Sequence, residues 1–269
     1  MEYFWADDSQ ALLIPASGQL YYYSVKTNQV KLLKTGEGFA TDARLSPKGN
    51  YVSFVREQNL YVLELKTERL TALTTDGGGA IKNAMAEFVA QEEMGRMTGY
   101  WWSPDESAIA YTRIDESAVE LVTRNEIYAD GIKLTKQRYP YAGKNNVTIA
   151  LGVVSLTDKQ VAWVDLGKET DIYIPRVKWL PNSKQLSYQW QSRDQQSLDL
   201  RVVDIDDIKR NKDLVQERSE AWVNLNDDLH FLKQQQSFIW ASERDGFNHL
   251  YLIGLDGKVI RQLTEGDWA

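Results

Sequence analysis

The sequence contains no cysteine and only two histidines, His230 and His249. Without cysteine the chain can form no disulfide, no thiolate metal site and no cysteine nucleophile. None of its 17 glycines is followed two positions later by a serine, so the G-x-S-x-G turn that presents the nucleophile of an α/β-hydrolase is absent. Both histidines lie in strand-like patterns, where a structural role in the core or at a sheet edge is expected. We therefore predict no catalytic residue in this chain.

Excess positive charge and long apolar runs are also missing. Lys and Arg number 31 against 38 Asp and Glu, a formal net charge of −7, which argues against nucleic-acid binding. No apolar run approaches the length of a membrane span, and the opening MEYFWADDSQ has no signal-peptide pattern, so the sequence indicates no compartment. The acidic clusters Asp204–Asp207 and Asn226–Asp228 do not match an EF-hand loop. We expect neither a metal nor another cofactor.

A repeated hairpin is the main organising feature of the sequence. Segments that begin at Leu20, Leu60 and Leu250 each read as an apolar strand, a polar turn and a second strand. A second pattern, in which proline sets a tight turn between two strands, recurs at Leu45–Phe54, Trp102–Tyr111 and Trp179–Tyr188. Units of four short antiparallel strands, each of roughly 40–50 residues, are typical of β-propeller blades.

The repeats predict an all-β fold, a partial β-propeller domain over residues 1–269 that forms an open arc of about five four-stranded blades. The units fall at 1–38 (incomplete), 39–78, 98–140, 147–206 and 220–264. Two segments interrupt the pattern. A helical insertion occupies 79–97, after three consecutive glycines, and an extension of alternating character occupies 119–138.

The insertion carries two adjacent glutamates, Glu92 and Glu93. Asn83 is the predicted start of its helix and Gly95 the predicted end. The apolar stripe expected to face the protein consists of Met85, Phe88 and Val89. The glutamates continue this stripe close to the helix C-terminus, where the helix dipole disfavours negative charge. A sequence selected for stability alone would favour lysine or arginine there.

Two interpretations of the pair follow from the residues. Glu-Glu is a common surface dipeptide, and Glu92 could pair with Arg96 at the i,i+4 spacing, in which case the pair is structural. Alternatively, two carboxylates that converge on one point form a site for an ammonium group, such as the free amino terminus of a peptide. A site of that kind measures substrate length, because the scissile bond then lies a fixed number of residues away.

The segment EFVAQEEMGRMTGYWWSPDESAIAYTRIDES (Glu87–Ser117) resembles the glutamate-bearing insertion of the dipeptidyl peptidase IV family of prolyl oligopeptidase-type serine exopeptidases, in a bacterial-type member. The resemblance continues through Tyr139–Val154, Ala221–Leu232 and Ser242–Ile253. In that family an eight-bladed N-terminal β-propeller precedes an α/β-hydrolase domain with the catalytic serine. The chain resembles the propeller without the hydrolase domain.

The resemblance implies roles for particular residues. Glu92 and Glu93 stand in the same Phe-Val-x-x-Glu-Glu context as the family's pair, which holds the substrate amino terminus so that dipeptides of the Xaa-Pro or Xaa-Ala type are released. The parent protein would then be a serine-type dipeptidyl peptidase, and this chain its non-catalytic, substrate-gating part. The implied partners are a peptide with a free amino terminus, a C-terminal hydrolase domain and, through an arm at 119–138, a second subunit.

One departure and two alternatives remain open. Family members often place an arginine over the substrate's backbone carbonyl, but no arginine occurs at the matching place near Leu13, which leaves Arg96 and Arg113 as candidates. A different functional class is a stand-alone propeller that acts as a protein-interaction scaffold. A third possibility is an inactive homologue whose downstream serine has been lost.

Overall fold

The computed structural model describes residues 2–225, 227–233 and 235–268, and it is built almost wholly from antiparallel strands. Strands contain 50% of the residues and helix 2%. Strands such as Tyr51–Arg56, with the sequence YVSFVR, are rich in β-branched and aromatic residues that suit a pleated, buried surface. The all-β prediction is confirmed.

The first two sheets each contain four strands that pair in chain order. Those of the first sheet are β1 (Phe4–Trp5), β2 (Ala11–Ala16), β3 (Gln19–Ser24) and β4 (Gln29–Leu32). Those of the second sheet are β5 (Thr41–Leu45), β6 (Tyr51–Arg56), β7 (Asn59–Glu64) and β8 (Leu70–Ala72). The hairpins predicted from Leu20 and Leu60 are therefore present. The prediction that the first unit is incomplete is wrong, since its sheet has four strands. Strand β1 was missed because it is only two residues long and leaves no alternating pattern in the sequence.

The third sheet has five strands, and a separate hairpin interrupts it. Its strands are β9 (Ile81–Asn83), β10 (Tyr100–Trp102), β11 (Ala108–Asp115), β14 (Thr148–Ser155) and β15 (Val161–Trp163). They pair in the order β10-β11-β14-β15, and β9 also pairs with β11. Between β11 and β14 the chain forms a two-stranded sheet of β12 (Leu121–Tyr128) and β13 (Gly131–Arg138), which we call the arm.

Two further sheets follow. The fourth contains β16 (Ile172–Tyr173), β17 (Val177–Trp179), β18 (Gln185–Ser192), β19 (Ser197–Asp204) and β20 (Asp207–Arg218), in the order β16-β18-β19-β20 with β17 also on β18. The fifth contains β21 (His230–Phe231), β22 (Ser237–Ser242), β23 (His249–Gly254) and β24 (Val259–Gln262), in chain order. His230 lies exposed on an edge strand and His249 is buried in β23, so both occupy the structural positions expected of them.

The predicted boundaries of the third and fourth units, 98–140 and 147–206, are wrong. Strand β14 pairs with β11 and therefore belongs to the third sheet, while the fourth sheet begins at β16. Strand pairing across the arm is a long-range contact, and a reading of local patterns cannot detect it. The proline turns, by contrast, lie where they were predicted, between β5 and β6, β10 and β11, and β17 and β18.

The chain forms two compact units, Met1–Tyr100 with Tyr111–Leu151, and Trp101–Ala110 with Gly152–Ala269. The core of the first unit includes Leu13, Leu20 and Phe54, and that of the second includes Phe238 and Ile253, all of them fully or almost fully buried. Each such side chain stabilises the fold by about 1.5–3 kcal/mol relative to exposure. Within the residues described, no helix has the length and apolar character that crossing a membrane requires.

Candidate functional site

The insertion forms a loop closed by a narrow neck. Met85 and Thr98 face each other in an isolated antiparallel bridge. Beneath it, the hydroxyl of Thr112 on β11 lies 3.0 Å from the carbonyl oxygen of Met85 and 3.2 Å from that of Gly99. The backbone N–H of Thr112 donates to the same Gly99 carbonyl at 2.8 Å. Both ends of the loop are thus fastened to one central strand of the third sheet.

A second set of contacts fastens the neck to β5 of the second sheet. The hydroxyl of Thr98 donates to Oδ2 of Asp42 at 2.7 Å, and the hydroxyl of Tyr100 donates to the backbone carbonyl of Asp42. Tyr100 is fully buried, and this burial, together with the charge of Asp42, raises the pKa of its hydroxyl. Tyr100 therefore remains a neutral donor at physiological pH, and its contact with Asp42 is independent of pH in that range.

A carboxylate supports the strand that leads into the loop. Asn83 on β9 donates to Oδ1 of Asp76, and Nε of Arg113 donates to Oδ2 of Asp76, each at 2.8 Å. Partial burial would raise the pKa of Asp76, but the hydrogen bonds from Arg113 and Asn83 outweigh it and hold that pKa below its ordinary value. Arg113, a candidate for contact with the substrate backbone, is therefore engaged by Asp76 in this structure.

The helix at the tip of the loop, α1 (Phe88–Glu92), is one turn long, with Glu87 at its N-cap. The predicted start at Asn83 is wrong, because Asn83 lies in β9 and pairs there with Arg113. The helix ends at Glu92 with Glu93 at the C-cap, two residues before the predicted stop at Gly95. Gly95 has a φ of 61°, in the left-handed region that glycine adopts without strain.

The helix turns a different face to the protein from the one the sequence predicts. Phe88 is 37% exposed, and its ring packs against Tyr139, next to the arm, at a centroid distance of 4.9 Å. Met85 and Val89, the other members of the predicted stripe, are only half-buried. The buried side chains are instead those of Ala90 and Glu87, at 0% and 2% exposure. A single turn is too short for apolar periodicity to set its orientation, so other contacts decide it.

A buried ion pair joins the start of the helix to the part of the loop that follows it. Nη2 of Arg96 donates to Oε2 of Glu87 at 2.6 Å, and the two side chains are 3% and 2% exposed. Nη1 of Arg96 donates to the carbonyl oxygen of Thr98 at 2.7 Å. The sequence suggested Glu92 as the partner of Arg96, but the ion pair in the structure joins Arg96 to Glu87, nine residues away. Residues nine apart are not neighbours on a helix surface, so the sequence pattern does not indicate this ion pair.

Glu92 and Glu93 are both exposed, at the last residue and the C-cap of α1. Neither carboxylate forms a hydrogen bond or an ion pair with any residue that the structure describes. Two adjacent carboxylates offer several acceptor sites and two negative charges, which suits a ligand with several N–H donors and a positive charge. The loop therefore presents an acidic pair that is available to a cationic ligand.

The other acidic clusters have structural explanations. Asp204 and Asp207 face each other across the turn between β19 and β20, and Gln185 donates to Asp204 at 2.7 Å. Asp227 pairs with Arg176, while Asn226 lies outside the described residues. In the described part of the chain no group of three or more His, Asp or Glu is arranged to hold a metal ion.

Successive antiparallel sheets of four or five strands, with an acidic loop inserted between β9 and β10 of the third sheet, define a β-propeller domain. A family model described as the dipeptidyl peptidase IV (DPP IV) N-terminal region matches residues 5–269, and the chain belongs to that family. The number of blades in the complete propeller stays a prediction.

Relatives and solved structures agree with this assignment. The chain is 29% identical over 266 residues to an Aspergillus flavus protein named "Probable dipeptidyl peptidase 4", covering 89% of this chain and 33% of that protein. Identity to dipeptidyl aminopeptidase A of Saccharomyces cerevisiae is 26% over 249 residues, covering 84% of this chain and 26% of that one. The crystal structure of Porphyromonas gingivalis dipeptidyl peptidase 4 superimposes with a TM-score of 0.90 at 28% identity and covers 100% of this chain and 40% of its own. The chain thus spans well under half the length of these relatives.

Proposed function

We propose that this chain is the substrate-gating propeller of a serine dipeptidyl peptidase, in which Glu92 and Glu93 bind the free amino terminus of the peptide. The observation that supports this most is the pair of exposed carboxylates without partners in the described structure, on a loop fastened to two sheets. A hydrolase domain elsewhere in the parent protein supplies the nucleophile, general base and oxyanion hole, because this chain contains no G-x-S-x-G turn.

The chemistry of the anchor follows from charge and distance. An ammonium group donates up to three hydrogen bonds, and bonds between charged groups are about twice as strong as neutral ones. Once the amino terminus is held, the carbonyl of the second residue is presented to the nucleophile, so the enzyme releases dipeptides. Orientation of this kind lowers the barrier because the entropy of alignment has already been lost on binding.

The parent enzyme is expected to distinguish a free amino terminus from an acetylated one. For two peptides identical except for N-acetylation, the loss of the charged hydrogen bonds to both carboxylates predicts a value of kcat/KM about 10³-fold lower for the acetylated peptide. Mass spectrometry of the products should show N-terminal dipeptides from the free peptide. Equal cleavage of both peptides, or cleavage at internal sites, would contradict the proposal.

A second proposal concerns the arm, which we expect to contact another copy of the chain. Strands β12 and β13 pair along their full length, and Ile127 lies directly opposite Ile132. Leu134 lies two residues along from Ile132 on the same face of the hairpin. These three side chains are 80%, 65% and 67% exposed. An apolar group of this kind on an exposed two-stranded hairpin is typical of a protein-protein contact. The same observation would suit an interaction scaffold.

Replacing Ile127 and Ile132 together by glutamate is expected to convert a dimer into a monomer, because two charges would be buried in an apolar contact. Sedimentation velocity of the parent protein measures this directly. Arg124→Gln, on the opposite face of the arm, serves as the matched control and should leave the dimer intact. A parent protein that is monomeric at all concentrations would remove the proposed role of the arm.

A further inference from the structure

We infer that Arg96 is a positioning residue of the acidic anchor, which holds the turn bearing Glu92 and Glu93 in one orientation without contacting the substrate. This inference rests on the proposed function, since it concerns how the same pair is kept in place. It adds a buried residue on the part of the loop that runs from α1 back to the neck.

The helix cannot hold its own orientation. It contains five residues, and an isolated helix of that length is unstable in water because nucleation costs more than a few hydrogen bonds return. Its side-chain cap is also missing, since Glu87 makes no capping hydrogen bond to the helix backbone. The direction in which Glu92 and Glu93 point is therefore decided by contacts between α1 and the rest of the loop.

Arg96 connects the start of α1 to the neck of the loop. One guanidinium nitrogen donates to the carbonyl of Thr98 at the neck, at 2.7 Å, and the other donates to Glu87 at the start of the helix, at 2.6 Å. Its backbone N–H donates to the carbonyl of Ala90, inside the helix, at 2.9 Å. A planar guanidinium can satisfy two separate acceptors at fixed angles, which a lysine ammonium on a flexible stem does less well.

Burial makes the position of the helix depend on this arginine. Glu87 is 2% exposed, and its other carboxylate oxygen, Oε1, has no hydrogen-bond partner among the described residues. The ion pair with Arg96 is therefore what holds the Glu87 carboxylate in the interior. A buried carboxylate that loses its cation must gain a proton or move towards water. Movement of Glu87 would carry α1, and with it the acidic pair, out of place.

The test uses the parent enzyme and two substrates, a dipeptide anilide with a free amino group and its des-amino analogue, in which hydrogen replaces that group. Arg96→Met is expected to lower kcat/KM for the amino substrate by up to about 100-fold, as misplacement by about 1 Å can do. It should leave kcat/KM for the des-amino analogue unchanged. Arg96→Lys should recover part of the loss, since it keeps the charge but supplies a single donor group.

A matched control separates positioning from stability. Arg201→Met removes another arginine that pairs with a buried carboxylate, Asp199, in the second compact unit. It is expected to lower thermal stability without altering the ratio of the two kcat/KM values. If Arg96→Met is not obtained in folded form, the same ratio measured on Arg96→Lys decides the question, with a decrease expected.

The outcomes distinguish this inference from the proposed function. If Glu92→Gln lowers the ratio but neither Arg96 variant does, Arg96 is not a positioning residue although the anchor stands. An equal fall in both kcat/KM values for Arg96→Met would also overturn the inference, because it would indicate a general structural role. If Glu92→Gln and Glu93→Gln leave the ratio at its wild-type value, the anchor itself is refuted.

Discussion

Glutamine at both positions 92 and 93 of the parent enzyme is expected to lower kcat/KM for peptides with a free amino terminus by about 10³-fold. Each hydrogen bond to a charged group contributes about 1.5–3 kcal/mol, and each 1.36 kcal/mol corresponds to a factor of ten in rate. Glutamine keeps the size of the side chain and one carbonyl oxygen, so the change isolates the charge. Each single variant should show about 10- to 100-fold of this loss.

The effect should appear in kcat as well as in KM. The contact is remote from the scissile bond, and such binding energy is used to align the reacting carbonyl. Glu37→Gln is the matched control, since Glu37 is exposed, lies outside the loop and has no side-chain partner among the described residues. Folding of the variants is checked by thermal unfolding, which should be unchanged, because removal of an exposed charge without a partner has little effect. Wild-type kinetics for the double variant would show that the two carboxylates do not bind the substrate amino terminus.

Gly99→Ala is expected to give the largest loss of stability among the loop variants. A Cβ at position 99 would lie 2.3–2.4 Å from the backbone N, C and O of Met85, which is closer than atoms can approach. The backbone of Met85 cannot move away without losing its bridge to Thr98 and its contact with Thr112. Forced overpacking of this kind costs typically 1–3 kcal/mol and occasionally more, and we expect about 3 kcal/mol here.

Denaturant unfolding followed by tryptophan fluorescence measures this difference. Gly131→Ala at the tip of the arm is the matched control, since a Cβ there would meet no atom within 4 Å. That control should change the free energy of unfolding by no more than about 0.5 kcal/mol. In the parent enzyme Gly99→Ala should also lower kcat/KM for the amino substrate, because the neck orients the loop. Wild-type stability for Gly99→Ala would show that the neck is not closed as described.

Local patterns in the sequence predicted those features that neighbouring residues determine. Alternating strands around a polar turn gave the hairpins that begin at Leu20, Leu60 and Leu250, and proline after a strand gave the turns that follow Leu45, Trp102 and Trp179. A strand and its turn are specified by the residues within them, so a short window contains the information.

Features that depend on distant residues were missed. The pairing of β14 with β11 across the arm, which moved a whole strand from the fourth unit to the third, leaves no local pattern. The same holds for the ion pair between Glu87 and Arg96, whose partners meet because the loop folds back at its neck. The apolar stripe predicted for α1 failed because a helix of five residues is too short for apolar periodicity to set its orientation.

The candidate pair itself could be located in the sequence, but its setting could not. Adjacent glutamates near a helix C-terminus are unusual for stability, and the resemblance gave them a role. That both carboxylates lie exposed without partners, on a loop held to Asp42 and Thr112, required the structure. Because no arginine occurs near Leu13, the sequence left Arg96 and Arg113 as candidates for contact with the substrate backbone. In the structure both are engaged in ion pairs within this unit.

We propose that the charges of Glu92 and Glu93 act on the substrate ammonium group, and a two-by-two kinetic cycle isolates that interaction. The cycle measures kcat/KM of the wild-type parent enzyme and of the Glu92→Gln/Glu93→Gln variant on the amino substrate and on its des-amino analogue. We expect the wild-type enzyme to prefer the amino substrate strongly and the variant to lose this preference, with little change in kcat/KM on the analogue. If the variant keeps the wild-type preference, or loses activity equally on both substrates, the two charges do not act on the ammonium group.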